Sequence, residues 1–333
     1  MINDNGHFVI SLDLELHWGF FELKTVEQYQ ENLINTRKVI QRLLDLSNAY
    51  NVKLTFATVG FLFAKNKDEL IAFSPKEKPN YTKKELNPYA LFNEIGFNED
   101  DDPYHFGHSI VKKIVEDKNH EVGTHTFSHY YCTETGQTKA QFEEDIKAAL
   151  HIANNFDLDL ESIVFPRNMF NPHYLDVCHK LGIKSYRGTE NASIYKLENN
   201  PNSPNITKLV FRAFRMLDTY VNLTGKHTYN LKNINTKNHI INLPQSRFLR
   251  PYNNTLRPLE KLKIRRIIRA MRYAAKHNEL FHLWWHPHNF GANVDENFKN
   301  LEAIFKEYKS LNEAYKFQSE TMTSLTNKVI SSL

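Results

Sequence analysis

Nine residues near the start, FVISLDLEL (8–16), alternate strictly: Phe8, Ile10, Leu12, Leu14 and Leu16 on one side, Val9, Ser11, Asp13 and Glu15 on the other. That period belongs to a strand with one fully apolar face. Beyond it the period changes. Leu33, Ile34, Ile40, Leu43 and Leu44 recur at helical spacing within 27–49, and KLTFATV (53–59) returns to a strand pattern. The unit is βαβ, and it recurs. Helix-like SIVKKIVEDK (109–118) leads to strand-like HEVGT, helical QFEEDIKAALHIANNF to SIVFP (162–166), and helical HYLDVCHKLG to IKSYRG. Strands that alternate with helices in this way imply a mostly parallel sheet with helices outside it. We therefore expect an α/β fold, an irregular (β/α)7 barrel.

The rhythm is interrupted twice. Residues 66–106 are charged, hold four prolines and include NEDDD, which reads as a long loop insertion with little regular structure. Residues 188–238, rich in Asn and Thr, resist assignment. HIINLP (239–244), the basic helix EKLKIRRIIRAMRYAAK (260–276) and the strand LFHLWW then resume the alternation, and a helical segment is expected over 294–333. The basic helix carries an apolar stripe, Leu262, Ile264, Ile267, Ile268 and Met271, that a barrel would bury, leaving its bases as a solvated outer face. No repeat, low-complexity tract or linker divides the 333 residues, so one domain spanning 1–333 is expected.

Charge excludes some partners. The 42 basic and 38 acidic side chains leave a net charge of +4, too small a surplus to gather nucleic acid. No run of about 18 apolar residues suits a membrane span. The start lacks the basic and apolar regions of a signal peptide, and two cysteines are too few for a disulfide framework, so a cytoplasmic location is expected. Nothing in the sequence bears on oligomeric state.

Chemistry concentrates in HEVGTHTFSH (120–129). His125 and His129 stand four apart, a spacing at which two imidazoles reach one metal ion. Asp13 and Glu15 share the face of the first strand that the apolar row leaves, and two carboxylates there call for a cation or a proton. His286 closes an apolar strand before Pro287, and Arg167 follows another, where parallel-sheet enzymes keep catalytic groups. His120, opening its own strand, reads as structural. Trp18, Tyr130 and Tyr131 lie beside these groups in sequence and suit a sugar, since aromatic faces pack on pyranose C–H surfaces; barrel-core packing competes with that reading, as it does for Trp284 and Trp285.

These stretches resemble, in order, the motifs of the polysaccharide deacetylases of carbohydrate esterase family four. VISLDLE is similar to the first motif, NHEVGTHTFSH to the second with its two metal-binding histidines, VFPRN to the third with its arginine, and HLWWHPHNF to the last with its catalytic histidine. The first motif diverges, with Asp13 and Glu15 separated by Leu14. The aspartate-and-tryptophan fourth motif is missing, with RGTE (187–190) roughly in its place. The resemblance implies a divalent metal, zinc, held by Glu15, His125 and His129, with Asp13 as base, though the converse roles of Asp13 and Glu15 stay open. It implies further that His286 protonates the leaving amine, that Arg167 keeps Asp13 ionised, and that a backbone N–H near Tyr130 or Tyr131 steadies the oxyanion. The expected activity removes an acyl group, N-acetyl by preference, from an amino sugar of a glycan or glycan precursor. A deformylase, a cyclic-amide hydrolase and a non-catalytic glycan-binding protein are the alternatives.

Overall fold

The computed structural model describes residues 5–190, 205–234 and 239–332; parts of the unassigned 188–238 stretch, and the first four residues, lie outside them. The first strand, β1 (His7–Leu14), is the axis of the sheet. Both of its faces are buried. The outer row Phe8, Ile10, Leu12 and Leu14 is at most 1% exposed, and each side chain contributes about 1.5–3 kcal/mol by leaving water. It packs in one core with α2 (Thr36–Ala49), α8 (Glu260–His277) and α9 (Val294–Tyr315).

The remaining strands are β2 (Thr55–Thr58), β3 (Glu121–Thr124), β4 (Ser162–Ile163), β5 (Ser185–Tyr186), β6 (Ile241–Asn242), β7 (Arg247–Phe248) and β8 (Leu280–Trp285). They run in the order β6-β5-β4-β3-β2-β1-β8-β7, every pair parallel. This is the expected α/β barrel in irregular form, a single domain whose sheet curls into a half-barrel within a ring of helices. Among these are α1 (Val26–Ile34), α3 (Lys67–Phe73), α4 (His108–Glu116), α5 (Lys139–Ala153) and α6 (Leu175–Lys180).

The helix expected over 27–49 breaks at Asn35 into α1 and α2. The 66–106 excursion holds α3 and two 3-10 turns, Lys84–Leu86 and Pro88–Asn93. From the unassigned stretch comes a helix, α7 (Asn205–Tyr220). The C-terminal segment is not all helical: β9 (Gln318–Glu320) pairs in parallel with His7–Val9 before α10 (Met322–Ile330). A three-residue strand is too short to show a period. No described helix is long and apolar enough to cross a membrane.

Inside the barrel the lining changes character along the strands. At their N-terminal ends Val9, Ala57, Ile241 and Leu280 close on Met322, Leu325 and Val329 of α10, an apolar plug. Farther along, the same inward rows read Ser11 and Asp13 on β1 and His282 on β8. Polarity thus rises towards the C-terminal rim, where parallel barrels place their chemistry.

Candidate active site

β1 ends at Leu14, so Glu15 does not continue the strand; it opens the 3-10 turn Leu16–Gly19. That turn swings its carboxylate over the rim towards the HTFSH loop. Glu15 Oε2 lies 3.3 Å from His125 Nε2 and 3.2 Å from His129 Nε2, and all three residues are at most 4% exposed. Gly19 makes room for this, because any Cβ there would overlap the Glu15 carboxylate.

The imidazoles are oriented from behind. His125 Nδ1 lies 2.8 Å from the Val164 carbonyl and so donates to it, leaving Nε2 as the acceptor. His129 Nδ1 meets the Tyr131 hydroxyl at 3.2 Å, and that hydroxyl reaches Glu22. Asp145 of α5 fastens the loop, accepting from the backbone N–H of Phe127 at 2.7 Å, from that of Ser128 at 3.2 Å and from the Ser128 hydroxyl. Backbone strain collects here. Thr126 (φ 64°), His129 (φ 55°), Leu16 (φ 47°), Arg167 (φ 57°) and Asn168 (φ 54°) all hold left-handed conformations, which cost non-glycine residues about 1 kcal/mol or more each and persist where the surroundings over-determine them.

Burial would raise the pKa of Glu15, but charge from His286 and the imidazoles of His125 and His129 that face it hold it well below the usual carboxylate range. Two imidazole nitrogens with their other nitrogen committed, facing one ionised carboxylate in a buried site, form an N2O donor set suited to a divalent ion; their ligand atoms all lie within 4.8 Å of one another. The geometry therefore separates the two acids of the first motif. Glu15 faces the histidines and Asp13 faces an arginine.

That arginine is Arg187. Its Nη1 donates to Asp13 Oδ1 at 2.6 Å and its Nη2 to Oδ2 at 2.7 Å, with both side chains almost wholly buried. Burial alone would raise the Asp13 pKa, yet Arg187, with His125 and His286, keeps it below its ordinary value. The guanidinium is itself fixed. Asn168 Oδ1 accepts from its Nε and Nη2, and Ser11 Oγ accepts from Nη1 at 2.9 Å. Ser11 in turn lies 2.8 Å from His282 Nε2, whose other nitrogen donates to the Leu243 carbonyl. Burial drives His282 down to about 3, so it is neutral and accepts from the serine.

Arg167, expected beside Asp13, is elsewhere. It pairs with Glu22, reaches Glu134 at 3.6 Å and lies over the Tyr131 ring at 4.0 Å. The cause is local: the left-handed turn at Arg167–Asn168 after β4 sends the arginine outward and gives Asn168 to Arg187. Sequence reading missed Arg187, Ser11 and His282. RGTE stands in place of the absent fourth motif, and Ser11 shares the inward row with Asp13, so both carry a signal.

Two expected sugar contacts are corrected. Trp18 is fully buried, its Nε1 donating to the His105 carbonyl at 2.7 Å, and Tyr130 is fully buried with its hydroxyl on Gln137 and Thr138. Both are core. Tyr131, 3% exposed, backs His129. The backbone N–H groups of Tyr130 and Tyr131 are already spent on Thr126 Oγ1 and the Tyr81 hydroxyl, so neither awaits an oxyanion. Trp285 is core, whereas Trp284 is partly exposed beside Arg187. His120 bonds to Ser47 and to the backbone of Leu54, a structural part as expected.

His286 completes the ring of groups. Its Nε2 stands 3.5 Å from Glu15 Oε1 and 3.7 Å from Asp13 Oδ2, and its Nδ1 lies 3.3 Å from the Asn289 amide, which Tyr29 steadies from the far side. His288 is buried and neutral, pushed down to about 3 by burial. A shallow opening lined by Glu15, Phe20, Leu23, Tyr29, His286 and Asn289 connects the group to solvent.

Comparison with known proteins bears on the matched segment and on the fold. A polysaccharide deacetylase family model matches residues 29–186. No curated protein sequence matches the chain. Among solved structures, a putative polysaccharide deacetylase from Mycobacterium smegmatis superposes with a TM-score of 0.59 at 12% identity, covering 99% of this chain and 92% of that one. A probable polysaccharide deacetylase from Pseudomonas aeruginosa gives 0.53 at 10% identity, covering 98% and 91%. A GH57-type branching enzyme from Pyrococcus horikoshii gives 0.52 at 12% identity, covering 97% and 70%. Identities this low speak for the fold, which carries more than one chemistry. The match to the polysaccharide deacetylase family is carried by the segment from α1 to β5, residues 29–186, which holds His125 and His129.

Proposed function

We propose that the protein is a metal-dependent hydrolase that removes an N-acetyl group from an amino sugar of a glycan or glycan precursor, with zinc held by Glu15, His125 and His129. The observation that carries this reading is the convergence of that donor set with an arginine-clamped Asp13 and with His286 in one buried ring. When bound, a divalent ion supplies Lewis acidity for an amide carbonyl and for water. The chain's own residues do the rest. Asp13, ionised under Arg187, takes the proton of the attacking water; His286, on the open side of the ring, gives a proton from Nε2 to the departing amine. Asn289 and Tyr29 orient His286. A cytoplasmic substrate such as a sugar precursor fits this reading.

Acetate release from N-acetylated amino sugars by the zinc-loaded protein tests it. Turnover that is lost together with zinc in His125→Ala is the expected result; full turnover by protein stripped of metal would sink the proposal.

A further inference from the structure

Beside the catalytic ring, and separated from it by Trp284 and Phe248, lies a cavity of about 230 Å3. The shared wall is thin. Trp284 meets His286 edge-on with ring centroids 5.7 Å apart and carries the Arg187 guanidinium on its face at 4.3 Å, while Asn168 lines the cavity and also holds Arg187. Six cationic side chains line it, Arg167, Arg215, Arg247, Arg250, Lys263 and Arg266, against one carboxyl, Glu190. They come from separate elements: the turn after β4, α7, β7 and its exit, and α8. Arg266 and Lys263 also correct the reading of the basic helix, because these two bases turn inward and are at most 7% exposed.

Some of this charge is answered. Asp218 is shared by Arg247 and Arg266, and Glu260 pairs with Lys263 at 2.7 Å. Glu190 is 3% exposed and accepts from the Gln245 amide, and burial raises its pKa against that bond. Two donors at the cavity have no acceptor among the described residues: the Nε–H of Arg247, a residue 6% exposed, and the indole N–H of Trp284. Unanswered buried N–H groups among guanidinium forks call for a ligand rich in acceptors.

We propose that this cavity binds a phosphoryl group carried by the substrate, so that the amino sugar reaches Asp13, His286 and the Glu15–His125–His129 set as a glycosyl phosphate. Cations arriving from several directions suit the oxygens of a tetrahedral anion, whereas a planar carboxylate is satisfied by one fork. The proposal rests on the amino-sugar hydrolase reading and names its substrate class. Such a phosphate is soluble or borne by a lipid. The outer side of α7 exposes Val210, Phe214 and Leu217 at helical spacing, with Val221 exposed just past its end, while Arg215 and Thr219 of the same helix line the cavity, so a lipid-borne source is included in the test.

Calorimetric binding by the zinc-loaded protein is measured for N-acetylglucosamine, N-acetylglucosamine 1-phosphate and glucuronate, with co-sedimentation on phosphatidylcholine vesicles containing polyprenyl phosphate. We expect either phosphate probe to bind at least tenfold more tightly than the neutral sugar, and Arg250→Ala to remove that gain with zinc content unchanged. Arg272→Ala, altering an exposed arginine paired with Glu307, should keep it. The probe that binds identifies the source. Equal binding of neutral and phosphorylated sugar, tighter binding of glucuronate, or a gain that Arg250→Ala leaves intact would each overturn the proposal. The neutral-versus-phosphorylated comparison uses the unsubstituted protein, so it stands even if a variant fails to fold. Because binding is read without turnover, an inactive protein that shows the phosphate gain fails the hydrolase reading alone, and an active one without it fails this inference alone.

Discussion

Arg187 grips Asp13 through both ends of its guanidinium, at 2.6 and 2.7 Å, with both side chains almost wholly buried. A buried carboxylate whose single full partner is removed becomes an uncompensated charge. Arg187→Ala should therefore lower stability by about 3–5 kcal/mol and, by disarming the base, cut turnover by about 10²-fold or more. Arg187→Lys should recover stability better than turnover, because an ammonium cannot span both oxygens. Denaturation midpoints and kcat measured side by side check this; Arg187→Lys with full activity would mean that the two-pronged grip is dispensable.

Gly19 is the place where a small change should reach the metal set directly. Alanine there overlaps the Glu15 carboxylate and forces it away from His125 and His129. We expect Gly19→Ala to weaken zinc binding by about tenfold or more, with little loss of stability in metal-free protein. Competition against a chromogenic chelator gives the affinity, and an unchanged value would show that Glu15 does not need its present position.

His125→Ala and His286→Ala should part company. The first is expected to lose zinc and, with it, the rise in Tm that zinc gives the unsubstituted protein by binding only the folded state. The second should keep zinc and its Tm response while turnover falls by about 10²-fold or more. Zinc loss in His286→Ala would move that residue into the metal set.

Asp145 gives a pH dependence. Burial pushes its carboxyl up to about 7, against the hydrogen bonds it accepts from Phe127 and Ser128. Its folded pKa thus exceeds the unfolded value of about 3.9, the folded protein holds more protons between those values, and stability should fall as pH rises from about 4 to 7. Asp145→Asn has no such proton to lose. Urea midpoints at pH 4.5 and 7.5 should show a smaller drop in the variant than in the unsubstituted protein; parallel curves would place the Asp145 pKa at its ordinary value.

The sequence by itself determined what local period and local residue type can encode. The alternation in FVISLDLEL assigned β1 its apolar outer row and its Ser11–Asp13 inner row, and the recurring change of period implied a parallel sheet wrapped in helices. His125, His129, Glu15 and His286 stood at strand ends, where such folds gather their chemistry. Tertiary structure alone decided the partners. That Arg187 rather than Arg167 answers Asp13 depends on a left-handed turn after β4. Trp18 and Tyr130, near the site in sequence, point into the core because their polar atoms find acceptors there. The arginine-lined cavity joins residues from 167 to 284, and its existence follows only from the closing of α7 and α8 over the rim. Periodicity reports which face of an element is buried; which charge meets which, across more than a hundred residues of chain, is settled by packing.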